Sequence, residues 1–136
     1  MNIRILLTLS LLTLCKFSLS ADHFRIIGYL PTYRFATLEK LEVEKLTHLN
    51  LAFAQATYDG KLVLGGNFNY IVSRSKERNP DLKVLVSLAG GGIKGATFAN
   101  WRRNMAPGRK TEFIRQIMDF VRKNNFDGVD VDLEWG

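Results

Sequence analysis

The sequence predicts an α/β fold built on a parallel sheet. Short β-type runs are separated by segments of helical periodicity, which implies βαβ units with right-handed crossovers. The clearest of these runs, Leu82 to Leu88, is apolar at nearly every position, as expected of a strand covered on both faces. No repeat of fixed period and no linker interrupts the pattern, so the 136 residues read as one domain. A composition 46% apolar and 24% charged excludes collagen-like, disulfide-scaffold and low-complexity classes.

Met1 to Ser20 reads as a secretory signal peptide that is not part of the fold. Arg4 supplies a basic start, Ile5 to Leu14 an apolar run, and Ser18-Leu19-Ser20 small residues before a cut at Ala21. The run is about half the ~20 residues that span a bilayer, so no membrane span is expected. An alternative makes Cys15 a lipid anchor, although Leu14 is bulky where such signals prefer small residues. Removing 20 of the 136 residues leaves 116 without cysteine and lowers the formal charge from +6 to +4, through loss of Arg4 and Lys16. Disulfides and Cys-based metal clusters are thereby excluded. Basic pairs occur at Arg102-Arg103 and Arg109-Lys110 without interleaved aromatic residues, which argues against a nucleic-acid partner.

In the mature part, Arg25 to Leu30 forms the first strand, stopped by Pro31. Leu38, Leu41 and Leu46, with Glu39, Glu42 and Glu44 between them, suit a short amphipathic helix after Thr37. His48 to Ala54 is the second strand. Asp59-Gly60 and Gly65-Gly66 mark turns. Asn67 can cap a helix from Phe68 to Arg78 that ends at Asn79-Pro80. After the third strand comes the loop Gly90 to Gly95, then a short helix over Thr97–Arg103. A longer one over Arg109–Asn124 carries Phe113, Ile117, Phe120 and Val121 on one side. Val129 to Glu134 is the last strand. A doubly wound sheet and a (β/α)8 barrel both fit this order, and the last strand decides between them.

Alternation along Val129-Asp130-Val131-Asp132-Leu133-Glu134 sends Val129, Val131 and Leu133 toward covering helices and Asp130, Asp132 and Glu134 to the opposite face. Three carboxylates in one row, roughly 6–7 Å apart, repel and lose solvation. Nothing in folding offsets that, so the row points to chemistry. Such a row can bind a hard cation, or keep one carboxyl protonated as a general acid beside a charged neighbour. A calcium loop would need its acidic residues on a turn, and the alternating apolar residues make a strand, so no metal and no cofactor are expected.

These residues resemble the glycoside hydrolase family 18 chitinases. Their fourth-strand signature, Asp-Gly-x-Asp-x-Asp-x-Glu, is matched by Asp127, Gly128, Asp130, Asp132 and Glu134. Gly28-Tyr29 stands where the family's first strand ends, Leu46 to Phe53 resembles its second strand, and Ser87-Leu88-Ala89-Gly90 resembles its third-strand Ser-x-Gly-Gly. The resemblance covers about residues 25–136. It implies a (β/α)8 TIM barrel of which residues 21–136 are the first half, strands 1 to 4. It also implies a secreted hydrolase of chitin or other β-1,4-linked N-acetylglucosamine polymers. In that reading Glu134 is the general acid and then the base. Asp132 orients the substrate's N-acetyl group, whose oxygen is the nucleophile, and Asp130 shares a proton or hydrogen bond with Asp132. Tyr29 and Ser87 steady Asp130, Phe53 lines the sugar site, and Gly90 and Trp135 bind or support substrate. Asp127, of opposite parity, is a strand-start feature. Ala89, Leu133 and Tyr33 depart from the family pattern: they stand where a glycine, an aromatic and a tryptophan are frequent.

Other readings remain. Gly90 to Gly95 fits Gly-x-Gly-x-x-Gly after a strand, but the acid that a dinucleotide site needs ~20 residues later is met only by Asp119, inside a helical pattern. Ala96 in place of lysine excludes a Walker loop. An endo-β-N-acetylglucosaminidase acting on glycoprotein or cell-wall glycans, or a lectin-like glycan binder that has lost hydrolysis, are the alternatives. Because a barrel takes ~250 residues, the chain is expected to be an N-terminal fragment of a longer enzyme, inactive alone.

Overall fold

The computed structural model describes residues 24–134. The leader read in Met1–Ser20, with Cys15, and the supporting residue Trp135 lie outside the described residues. Four strands form a parallel sheet: β1 (Ile27–Pro31), β2 (His48–Ala56), β4 (Lys83–Ala89) and β5 (Gly128–Asp132), in the order β1-β2-β4-β5. Helices α1 (Phe68–Arg78), α2 (Gly95–Met105) and α3 (Lys110–Lys123) lie in the connections. The element left out of the sequence reading is β3 (Leu62–Val63), which folds back from the Asp59-Gly60 turn to pair antiparallel with Gln55 and Ala56.

The first connection corrects the expected amphipathic helix. It consists of two 3-10 segments, Thr32–Lys40 and Val43–Lys45. Phe35 and Leu38, three residues apart, are its buried pair in the first segment, which suits a repeat of three residues per turn. Carbonyls at the segment ends take side-chain donors instead of an α ladder. Arg78 donates to the Leu38 and Leu41 oxygens, and the Asn79 amide to those of Val43 and Leu46. The helix expected over Phe68–Arg78 has those bounds, and the two later helices differ from the sequence reading by one or two residues at each end. Asn67 does cap α1, its side chain accepting from the Tyr70 N–H.

The core lies between the sheet and the helices. Leu49 and Leu51 of β2, Val84, Val86 and Leu88 of β4, Ile71 and Val72 of α1, Trp101 of α2, and Phe113 and Val121 of α3 are buried together. Trp101 meets Phe113 edge-on at 5.5 Å between ring centres, and Phe68, Phe120 and Phe126 cluster at 5.9–6.0 Å. Val129 and Leu133 pack against this core as their parity requires. Val131 shares that parity but is 62% exposed, because β5 is the last strand of the described sheet and α3 covers it only in part.

Asp127 enters β5 by accepting the Val84 N–H at 2.8 Å and pairing with Lys76 at 2.9 Å. Burial works to raise its pKa, but the Lys76 ammonium and the Val84 N–H outweigh it and hold the carboxyl below the usual aspartate value of 3.8. A depressed pKa stabilises the fold above the ordinary value, and that stability is lost as pH falls through the lowered one. Asp127→Asn is therefore expected to cost about 1–2 kcal/mol at neutral pH. The deficit against the parent protein should shrink as the pH drops below 3.8. Thermal unfolding at pH 7 and pH 3 measures both.

Candidate active site

The parallel register brings the site together. Tyr29 of β1 lies opposite Asn50 of β2, Ser87 of β4 opposite Asp130 of β5, and Ala89 opposite Asp132. The side chains of Tyr29, Asn50, Ser87, Asp130 and Asp132 meet on the sheet face turned away from the helices, while Ala89 is buried in the core. The Tyr29 hydroxyl donates to Asp130 Oδ2 at 3.0 Å, and the fully buried Ser87 hydroxyl donates to the same oxygen at 2.6 Å. Two hydroxyl donors from two strands thus converge on one carboxylate oxygen. Each is a hydrogen bond to a charged group, worth roughly 1.5–3 kcal/mol, and together they offset the cost of placing Asp130 beside Asp132.

Tyr29 responds to this setting. A hydrogen bond from Asn50 favours the phenolate and acts to lower its pKa. The hydrogen bond to Asp130 and the nearby charges of Asp130 and Asp132 outweigh it, so the phenol is pushed above its usual 10.0 and stays protonated as a donor.

Asp132 is fixed through its backbone. Its carbonyl accepts the Gly90 N–H at 2.7 Å, which ties the end of β5 to the loop after β4. Gly90 has φ +82°, and a Cβ there would come within 2.8 Å of the Phe53 ring. Glycine is required on both counts. Phe53 itself is half-buried against this loop. Gly90→Ala is expected to destabilise the protein by at least about 2 kcal/mol, from the left-handed backbone and the displaced ring. Thermal unfolding checks it. Ala89 is also left-handed, at φ 70°, which is the physical reason a glycine suits that position.

Glu134 stands just past the end of β5, exposed, with Oε2 against the Gly91 backbone: a Cβ at residue 91 would lie 2.8 Å from that oxygen. Asp130, Asp132 and Glu134 occupy alternate positions, at the C-terminal ends of the parallel strands, where barrel enzymes assemble their sites. Among the described residues no group of three His, Cys, Asp or Glu side chains is arranged to hold a metal ion, and no helix is long and apolar enough to cross a membrane.

Two residues escaped the sequence reading. Asn50 is buried on the same face as the acidic row. The signal for it was parity, since it alternates with Leu49 and Leu51 in an otherwise apolar strand. Gln55 donates to the Ala89 carbonyl at 2.6 Å and accepts the Trp101 indole N–H at 3.0 Å, so it braces the turn that carries Gly90. No local pattern marks Gln55, because both partners are more than 30 residues away.

Comparison with known proteins follows the same lines. Residues 25–136 match the family model for glycosyl hydrolases family 18. Chitinase A1 of Niallia circulans is 26% identical, over 85% of this chain and 24% of that protein. The crystal structure of the chitinase ChiB of Flavobacterium johnsoniae superposes with a TM-score of 0.81 at 38% identity, covering 85% of this chain and 38% of that one. Human YKL-39, described as a pseudo-chitinase with retained chitooligosaccharide binding, superposes at 0.63 with 25% identity, over 80% of this chain and 32% of its own. The chain thus spans 24–38% of the length of these relatives, and its four parallel strands form half of the (β/α)8 barrel of family 18 chitinases. By the family model, the shared half-barrel and the residues placed along it, the chain belongs to glycosyl hydrolases family 18.

Proposed function

We propose that residues 21–136 are the first half of a catalytic barrel that hydrolyses β-1,4-linked N-acetylglucosamine polymers, chitin first among them. The observation that carries this reading is the convergence of Tyr29 and Ser87 on Asp130, inside a row that continues through Asp132 to Glu134. Glu134 protonates the glycosidic oxygen as the bond to the anomeric carbon breaks. The substrate's own acetamido oxygen attacks that carbon from the other side and forms an oxazolinium ion, as in the substrate-assisted exceptions to two-carboxylate hydrolysis. Asp132 orients the acetamido group and balances the positive charge. Water then gives a proton to Glu134 and opens the ring, with net retention. Asp130, held by two hydroxyls, supports Asp132. Phe53 and Gly90 border the sugar, and the family resemblance assigns Trp135 a binding or supporting role.

A binding protein without hydrolysis, the behaviour described for YKL-39, is the second reading. Glu134 favours hydrolysis, since a pure binder needs no acid at that place. An endo-β-N-acetylglucosaminidase uses the same chemistry and differs in the substrate it accepts. The discriminating assay offers chromogenic N-acetylglucosamine oligomers and an N-glycosylated protein to two proteins: the complete barrel carrying this half, and residues 21–136 alone. Turnover of the oligomers by the complete barrel only is expected. Release from the glycoprotein alone selects the endo-glycosidase, and binding without turnover selects the lectin-like reading. Turnover by residues 21–136 that Glu134→Gln abolishes would overturn the half-barrel's dependence on further strands. Residues 1–20 act as the leader of a secreted protein in this proposal. A mature N-terminus at Ala21 supports it, and a lipid-bearing Cys15 would replace it with membrane anchoring.

A further inference from the structure

We infer that Asn50 is a positioning residue that aims the Tyr29 hydroxyl at Asp130, an inference that rests on the hydrolytic reading above. Tyr29 and Asn50 are directly paired across β1 and β2, on the face that carries Ser87 and Asp130. Asn50 is only 3% exposed, and among the described residues its Oδ1 has no hydrogen-bond partner. An amide buried with an unpaired carbonyl weakens the fold relative to an apolar side chain of the same size, so packing does not account for it. Its neighbours along the strand, Leu49 and Leu51, show what the other face of β2 accepts.

What the amide does have is the phenol. A tyrosine hydroxyl carries one proton and rotates freely between acceptors. When the Asn50 NH2 donates to the phenol oxygen, it occupies a lone pair there and leaves the hydroxyl hydrogen for Asp130 Oδ2, which lies 3.0 Å from the phenol oxygen. Ser87 is anchored on β4 and needs no such aid. Tyr29 does, because it is half exposed and its donor group sits at the end of a long side chain. Asn50 thus sets which way the Tyr29 dipole points, and through it the charge that Asp130 presents to Asp132.

The test uses the complete barrel protein and the variants Asn50→Leu, Asn50→Asp, Tyr29→Phe and the double variant Asn50→Leu/Tyr29→Phe. Asn50→Leu is expected to lower kcat on N-acetylglucosamine oligomers about tenfold, the partial loss of one charge-assisted hydrogen bond, and to leave KM within about twofold. The acid limb of the kcat profile should move with it. In the Tyr29→Phe background the same change should cost nothing further, because its route to the site is gone. Additive losses, or an unmoved pH profile, would overturn the inference in favour of a packing role. Asn50→Asp is nearly isosteric but adds a buried carboxyl near the acidic row. Thermal unfolding of this variant therefore accompanies its kinetics, and Asn50→Leu carries the comparison if Asn50→Asp is destabilised. Asn50→Asp offers the phenol an acceptor in place of a donor and should cost at least as much as Asn50→Leu. A separate arm needs no turnover. The Tyr29 phenol, assigned by difference from Tyr29→Phe in ultraviolet titration, should ionise at higher pH in Asn50→Leu, since the donor that favours the phenolate is removed. An unchanged titration refutes the contact even if the protein hydrolyses no N-acetylglucosamine polymer, which separates this failure from failure of the proposed function.

Discussion

Glu134→Gln in the complete barrel is expected to lower kcat on N-acetylglucosamine oligomers by about 10²–10⁴-fold, the usual contribution of a positioned general acid and base. The amide keeps the size of the side chain and its place beside Gly91, where Oε2 has the glycine backbone as its neighbour. It cannot release a proton to the leaving oxygen, nor take one from water. Oligomer binding should stay within a fewfold of the parent protein, because the proposed site assigns the sugar contacts to other groups. Initial rates and equilibrium binding on the same preparation test both halves. Binding and turnover lost together would mean that Glu134 holds the fold or the ligand, while turnover retained would remove it from the chemistry.

Asp132→Asn carries the second largest expected effect, roughly 10²–10³-fold in kcat, on the scale of losing one preorganised electrostatic group. In the proposed mechanism its loss acts on the step in which the acetamido oxygen attacks, where positive charge builds on the ring that forms. The backbone should not suffer, because the tie from the Gly90 N–H runs to the Asp132 carbonyl and is indifferent to the side chain. Thermal stability is therefore expected to hold or rise slightly, as one of the neighbouring carboxylates in the row is neutralised. Loss of activity with a matching loss of stability would assign Asp132 to the fold instead.

Much of this site was legible because strand parity is a strong rule when both faces are specified. Asp130 and Asp132 fall on one face from their spacing alone, and Tyr29 and Ser87 reach Asp130 because β1 and β4 bring their own alternation to the same side. The second strand shows where the rule stops. Leu49 and Leu51 face the helices by odd-numbered parity, yet further along it is Ala54 and Ala56 that enter the core. The register slips between Leu51 and Ala54, and the face of every later side chain changes with it. Strict alternation would therefore put Phe53 among the helices. In the fold its ring lies against Gly90 instead.

The misses share one cause, which is dependence on distant partners. The 3-10 geometry of Thr32–Lys40 is held by Arg78, roughly 40 residues onward, and local leucine spacing could not reveal it. The β3 pairing depends on how β2 ends, and the bracing by Gln55 on where Trp101 packs. Val131 has the face its parity predicts, but its exposure follows from standing at the edge of the described sheet.

Hydrolysis rates on two matched oligomers, one N-acetylated and one with free amines, test most directly whether the acidic row works through the substrate's own acetamido group. A row that relies on that group should cleave the acetylated oligomer at least about a hundredfold faster, since the other substrate brings no nucleophile. Comparable rates on both would show that a protein carboxylate makes the bond to the sugar, and the roles assigned to Asp132 and Glu134 would have to be redrawn.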